Sequence, residues 1–193
     1  MSILVLTSDT LIGTPATGNI EYSGQFYGTD SNASRAQIQR ITQGTAVAST
    51  SGTSIDFTSI PSWVKRITVM FQGVSTSGTS SVQVQLGAGS VTTSGYVSQS
   101  TFSGSGSATS SVTSGLHFHG GSAATARNGA MVIMLLGSNS WSATSISGQP
   151  ADSGVVYGGG SITLSGTLDR VRITTVNGTD TFDAGSINIL YEG

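Results

Sequence analysis

The chain contains two histidines, and they sit two residues apart as His117-Phe118-His119. On a β-strand, residues i and i+2 point to the same face, so the pair presents two imidazoles side by side. One chain then offers two metal ligands, too few for a stable site. Three chains around a threefold axis would offer six, an octahedral set. The plainer reading of the same residues is two surface or interface histidines beside Gly120-Gly121.

Other reactive groupings are sparse. Glycoside cleavage needs two carboxyl groups set across a cleft, and the chain has nine acidic residues in all. Asp180 and Asp183 lie close together around Phe182, where turn chemistry after Asn177-Gly178 accounts for them. Glu21 and Glu192 stand at opposite ends. The Gly-x-Ser-x-Gly elbow of serine hydrolases does not occur. Gly158-Gly159-Gly160 follows a strand-like Val155 to Tyr157, but no helix follows to hold a phosphate, so it reads as a bulge or tight turn. Arg170 and Arg172 share one face of a strand and could meet an anionic sugar, a neighbouring subunit's carboxylate or water. Tyr96, Trp141 and Tyr157 could stack on sugar rings if exposed, and otherwise belong to core or interface. The sequence therefore reads as a non-enzyme, with no catalytic residues and no cofactor.

The elements that must position these groups are strands. Of 193 residues, 34 are Ser, 26 Thr and 27 Gly, while only seven are basic and nine acidic. An average soluble domain is about a quarter charged. Here a neutral hydroxyl surface replaces an ionic one. The Val, Ile and Thr content favours β-structure over disorder. A net charge of −2 without a basic cluster removes the electrostatic basis for nucleic-acid binding. The absence of cysteine fits assembly in a reducing cytoplasm. The apolar run near Met1 has no basic segment before it and is short for a signal peptide. Ala130 to Leu136 is too short to span a membrane, so membrane insertion is not expected.

Residues 1 to 50 read as an N-terminal arm and linker. Within it lie a strand near Ile3 to Leu6, a turn at 14 to 18, strand pieces at Ile20 to Tyr22 and Gln25 to Tyr27, a helical segment over Asn32 to Ile41, and a linker from Thr42 to Gly52. From residue 51 to Gly193 the pattern is strand after strand. Ile67, Val69 and Phe71 alternate with Arg66, Thr68 and Met70. Ser75 to Thr79 then turns the chain into Val82, Val84 and Leu86, which suggests a hairpin. Ala130 to Leu136 turns at Gly137-Ser138-Asn139 into Trp141 to Ile146. Leu168 to Val176 turns at Asn177-Gly178, a sequence suited to a type I′ turn. Gly104 to Gly115 reads as a loop or weak edge. About ten short strands with no intervening helix predict an all-β fold, an antiparallel β-sandwich of jelly-roll type.

One strand departs from one-sided burial. Met131, Ile133 and Leu135 face one way, while Val132, Met134 and Leu136 are equally apolar facing the other. The second face needs a cover. We expect Val132, Met134 and Leu136 to form an oligomer interface, with a sharply curled sheet as the alternative.

Two stretches, Ile60-Pro-Ser-Trp-Val-Lys-Arg-Ile-Thr-Val-Met-Phe-Gln-Gly-Val74 and the closing run from Gly166 to Glu192, resemble C-terminal domains of bacteriophage and prophage fibre proteins. The segment from Pro15 to Thr29 resembles a short element upstream of such domains. Together they cover about a third of the chain. The resemblance implies a β-rich domain displayed on a virion, often as a homotrimer, contacting host surface or capsid, and it brings no catalytic residues. Trimeric needle-type fibres hold an octahedral metal ion with His-x-His pairs, the arrangement that His117 and His119 would need. No repetitive shaft lies between Met1 and Thr53, which leaves the attachment point open. The expected role is a virion structural protein, assembled in the bacterial host cytoplasm. It would be a fibre tip or a head decoration whose partners are its own copies, capsid or tail proteins, and host surface glycans. A glycan-cleaving tailspike-like enzyme and a free carbohydrate-binding module are the alternatives.

Overall fold

The computed structural model describes residues 17–193 except 24, 33, 121 and 124. The expected strand near Ile3 to Leu6 and most of the turn at 14 to 18 lie outside the described residues. Contacts divide the chain after Arg40 into two compact units. In the first, β1 (Ile20–Tyr22), β2 (Phe26–Thr29) and β3 (Arg35–Gln37) form an antiparallel sheet. Tyr22 stands opposite Phe26. Glu21 and Arg35 pair at 2.6 Å. The segment expected to be helical is β3, because pairing with β2 satisfies its backbone where four scattered apolar residues could not bury a helix face.

The second unit contains β4 (Ile41–Gln43), β5 (Val47–Ala48), β6 (Ser54–Thr58), β7 (Arg66–Thr76), β8 (Val82–Ala88), β9 (Ser90–Val91), β10 (Val97–Ser103), β11 (Ser107–Val112), β12 (Leu116–Phe118), β13 (Arg127–Gly137), β14 (Ser140–Gln149), β15 (Gly154–Thr163), β16 (Arg170–Thr175) and β17 (Phe182–Glu192). A single 3-10 turn, Pro150–Asp152, is the helical element among the described residues. The stretch expected as a linker holds β4 and β5, both paired with β17.

Two antiparallel sheets make the sandwich. The larger runs β11-β10-β15-β14-β13-β7-β17-β4, with β5 also on β17; the smaller runs β12-β8-β16-β6, with β9 on β8. These orders establish an all-β sandwich and not its jelly-roll subtype. Ile67, Val69, Ile133, Ile187 and Ile189 from the large sheet are enclosed with Val82, Val84, Leu86, Val171 and Ile173 from the small one. Phe71 stacks on Phe118 at 4.8 Å.

Two expected hairpins are sheet crossings. β7 lies between β13 and β17, whereas β8 lies between β12 and β16, so the turn after Thr76 carries the chain from one sheet to the other. The turn at Asn177-Gly178 returns it from β16 to β17. Only Gly178 takes a positive φ there, so the turn is not type I′. The turn between β13 and β14 does have both central residues, Ser138 and Asn139, at positive φ, and those strands pair directly. Gly158 to Gly160 is neither bulge nor turn but the middle of β15. A Cβ at Gly158 would meet the Ser100 Cβ at 2.7 Å, so the glycines admit β10 at close range.

Tyr96 fastens the loop after β9 to the small sheet. Its enclosed hydroxyl accepts from the Leu86 N–H at 2.7 Å and donates to the Thr92 carbonyl at 3.1 Å. Burial pushes its pKa up to about 12. Tyr96→Phe strands a buried backbone amide and should cost about 1–3 kcal/mol, read from urea denaturation.

Candidate functional site

One end of the sandwich interior is polar. Inward residues of β10, β14 and β15 there are Ser98, Ser100, Ser145, Ser147, Gln149 and the glycines of β15, facing His117 on β12. Ser98 Oγ accepts from the His117 backbone N–H at 2.7 Å, and Ser100 Oγ lies 2.8 Å from His117 Nδ1. Serines thus tie the two sheets together where hydrophobic packing does so elsewhere. His117 Nε2, Ser145 Oγ, Ser147 Oγ and Gln149 Oε1 are buried without a protein partner.

The two imidazoles are 6.0 Å apart on one side of the chain, as their spacing predicts. The metal reading nonetheless needs correction. His117 is 2% exposed and sits between β12 and β10, so it cannot meet its counterparts on a threefold axis. His119 Nδ1 is bonded to the Gly120 carbonyl. Among the described residues no group of three or more His, Asp or Glu is placed to hold a metal.

Two of the three glycan candidates are also displaced. Tyr96 and Trp141 are enclosed in the core because each falls on the apolar side of its segment, and neither can stack on a ligand outside. Tyr157 is half exposed on the outer face of β15. That face carries the interface candidates too: Met134 and Leu136 are exposed, Leu136 by 83%, and Val132 is half-buried. The register joins them to neighbours the sequence did not single out, setting Ile146 beside Ala130 and Tyr157 beside Ile146. From β13 across to β11 no outward residue is charged.

Charges cluster elsewhere. Arg172 pairs with Asp56 through two bonds of 2.7 Å, and Arg170 pairs with Asp169 at 2.8 and 3.1 Å, so both arginines have carboxylate partners within the chain. Asp180 accepts from Asn177 at 2.7 Å and from the Ser80 N–H at 3.0 Å, which holds its carboxyl below the usual range. Asp183 accepts from Ser75. Neither carboxylate faces the other across a cleft. Arg127, unremarked in the sequence, is fully enclosed and donates to the Thr125 carbonyl at 3.2 Å. Burial lowers it to about 10 against the opposing pull of Asp152 and Asp183, so it stays charged at neutral pH. Its only forecast in the sequence is that an arginine precedes an apolar strand.

A cavity of about 550 Å³ opens at this polar end. It lies between the β10–β11 turn, His119-Gly120 and the turn from β14 to β15. Comparison with protein-family models, curated proteins and solved structures finds no match for the chain.

Burial, aided by the neighbouring His119, pushes His117 down to about 4. In the unfolded chain it titrates near its ordinary value of about 6.5. Between those values the unfolded state binds the extra proton, so stability is complete above about 6.5 and falls as pH drops toward about 4. The urea midpoint should therefore decline from pH 7 to pH 4.5, and His117→Gln should flatten that decline; an equal slope in the variant would assign it to other groups.

Proposed function

We propose that this chain is a non-enzymatic structural protein of a bacteriophage virion, a β-sandwich knob displayed on the particle as a homotrimer, at a fibre tip or as a head decoration. The observation that carries the reading is the outer face of the large sheet. Val97, Met134, Leu136, Ile146, Val155 and Tyr157 are all exposed there, on a surface without charged residues. Monomeric proteins seldom leave a broad apolar face uncovered. A second copy of the same chain is the occupant that suits it, because a face without charge meets its own copy with no like-charge repulsion. The flanking edge strand β11 also lacks the charges that usually guard an edge. Cyclic symmetry closes such contacts with one kind of interface. The resemblance to fibre domains supports three subunits and the virion setting.

Light scattering of the purified chain should give three times the monomer mass. Met134→Asp or Ile146→Asp should reduce that to one, since each places an unpaired carboxylate in the apolar contact. A folded wild-type monomer at micromolar concentration would contradict the assembly. Immunogold labelling of purified particles should locate the chain on the virion surface, and its absence from particles would contradict the setting.

A further inference from the structure

The cavity at the polar end is built from residues that neither the fold nor the outer face requires. Phe102 closes β10 on its inward side and lies nearly parallel to the His119 ring, 29° apart with centroids at 6.3 Å. Two glycines make room for it. A Cβ at Gly154 would stand 2.3 Å from Phe102 Cε2, and one at Gly104 would stand 2.6 Å from its Cζ. Both glycines lie at the tip of this ring, and the ring borders the cavity.

Polar residues share the lining with the aromatic group. Gln149 is fully enclosed, and its Nε2 donates to the His119 carbonyl at 3.2 Å. That bond fixes the amide's orientation. Its Oε1 is buried behind the cavity wall and has no partner in the protein. Asp152 accepts from Thr125 Oγ1 through Oδ2, which orients the carboxylate and leaves Oδ1 for a further donor. Ser105 and Ser153 add hydroxyls at the rim.

The electrostatics favour an uncharged ligand. The Asp152 carboxylate opposes anions, and the enclosed Arg127 guanidinium, which Asp152 helps to keep charged, offsets its attraction for cations. An aromatic surface and polar groups in one lining, in a volume typical of small-molecule sites, suit a polyhydroxylated ring with one apolar face.

We propose that the cavity bounded by Phe102, His119, Gln149 and Asp152 is a binding site for an uncharged pyranose sugar. The inference rests on the display reading only for the source of that sugar, the glycans of a host surface. Binding itself belongs to the isolated protein.

The experiment titrates the purified full chain with methyl glycosides of glucose, galactose, mannose, N-acetylglucosamine and rhamnose, with glucosamine and N-acetylneuraminic acid as charged comparisons, followed by saturation-transfer NMR. At least one neutral glycoside should bind saturably. Phe102→Ala and Asp152→Ala should each weaken it tenfold or more. Tyr157→Ala, on the outer face, should leave it unchanged. Thermal melts identify any variant that fails to fold, and the half-buried Phe102 position keeps the test open if Asp152→Ala does not fold. No saturable response to any neutral glycoside at about 20 mM, where a millimolar Kd is visible, overturns the site. So does binding that survives both cavity variants, or tighter binding of either charged sugar. A chain that binds sugar yet is missing from particles would retain the site and lose the virion reading; the reverse result would do the opposite.

Discussion

Everything in the second unit depends on the mutual burial of two unequal sheets. With sixteen charged residues, the chain cannot draw much stability from ion pairs, and exposed pairs contribute little in any case. What remains is apolar area removed from water, worth about 25 cal/mol per Å². Ile67, Val69, Val84, Leu86, Ile173 and Ile189 are essentially inaccessible and come from four strands, two in each sheet. Those strands are joined in sequence as β7 to β8 and β16 to β17, and both connections pass from one sheet to the other. Each crossing lets one covalent connection serve both halves of the core.

That core does not extend to the far end. Around His117 the space between the sheets is filled by serines, glycines, an amide and, at Arg127, a buried charge. Hydrogen bonds from Ser98 and Ser100 hold β12 to β10 in place of side-chain packing. Several polar atoms remain unpaired there. Such groups reduce stability relative to an apolar filling. Departures of this kind collect at functional sites, and this one borders the cavity.

The outer face of the large sheet poses a different problem. Inside, alternation places hydroxyls and glycines where methyl groups would be expected; outside, it places Met134, Ile146 and Tyr157 where hydroxyls would be expected. The two anomalies lie on opposite sides of the same strands, β14 and β15. The proposed assembly through the outside and the proposed recognition through the end would therefore use the same framework without competing for residues.

The sequence by itself determined the strand class, because period-two alternation and β-branched residues report directly on a half-buried pleated surface. It also determined the β13–β14 hairpin, whose turn residues tolerate positive φ, and the doubly apolar character of β13. It could not determine partners in the sheet. Val82, Val84 and Leu86 alternate equally well beside β7 or across from it, and only the competition for β7's two edges, won by β13 and β17, sent β8 to the other sheet. Nor could it separate Tyr157 from Tyr96 and Trp141, since an aromatic residue has the same local pattern whether its face is enclosed or open. The cavity was the least legible feature. Phe102, His119 and the Gln149–Asp152 stretch come from three separate segments, and the glycines that admit Phe102 acquire that role only once β10, β11 and β15 are brought side by side.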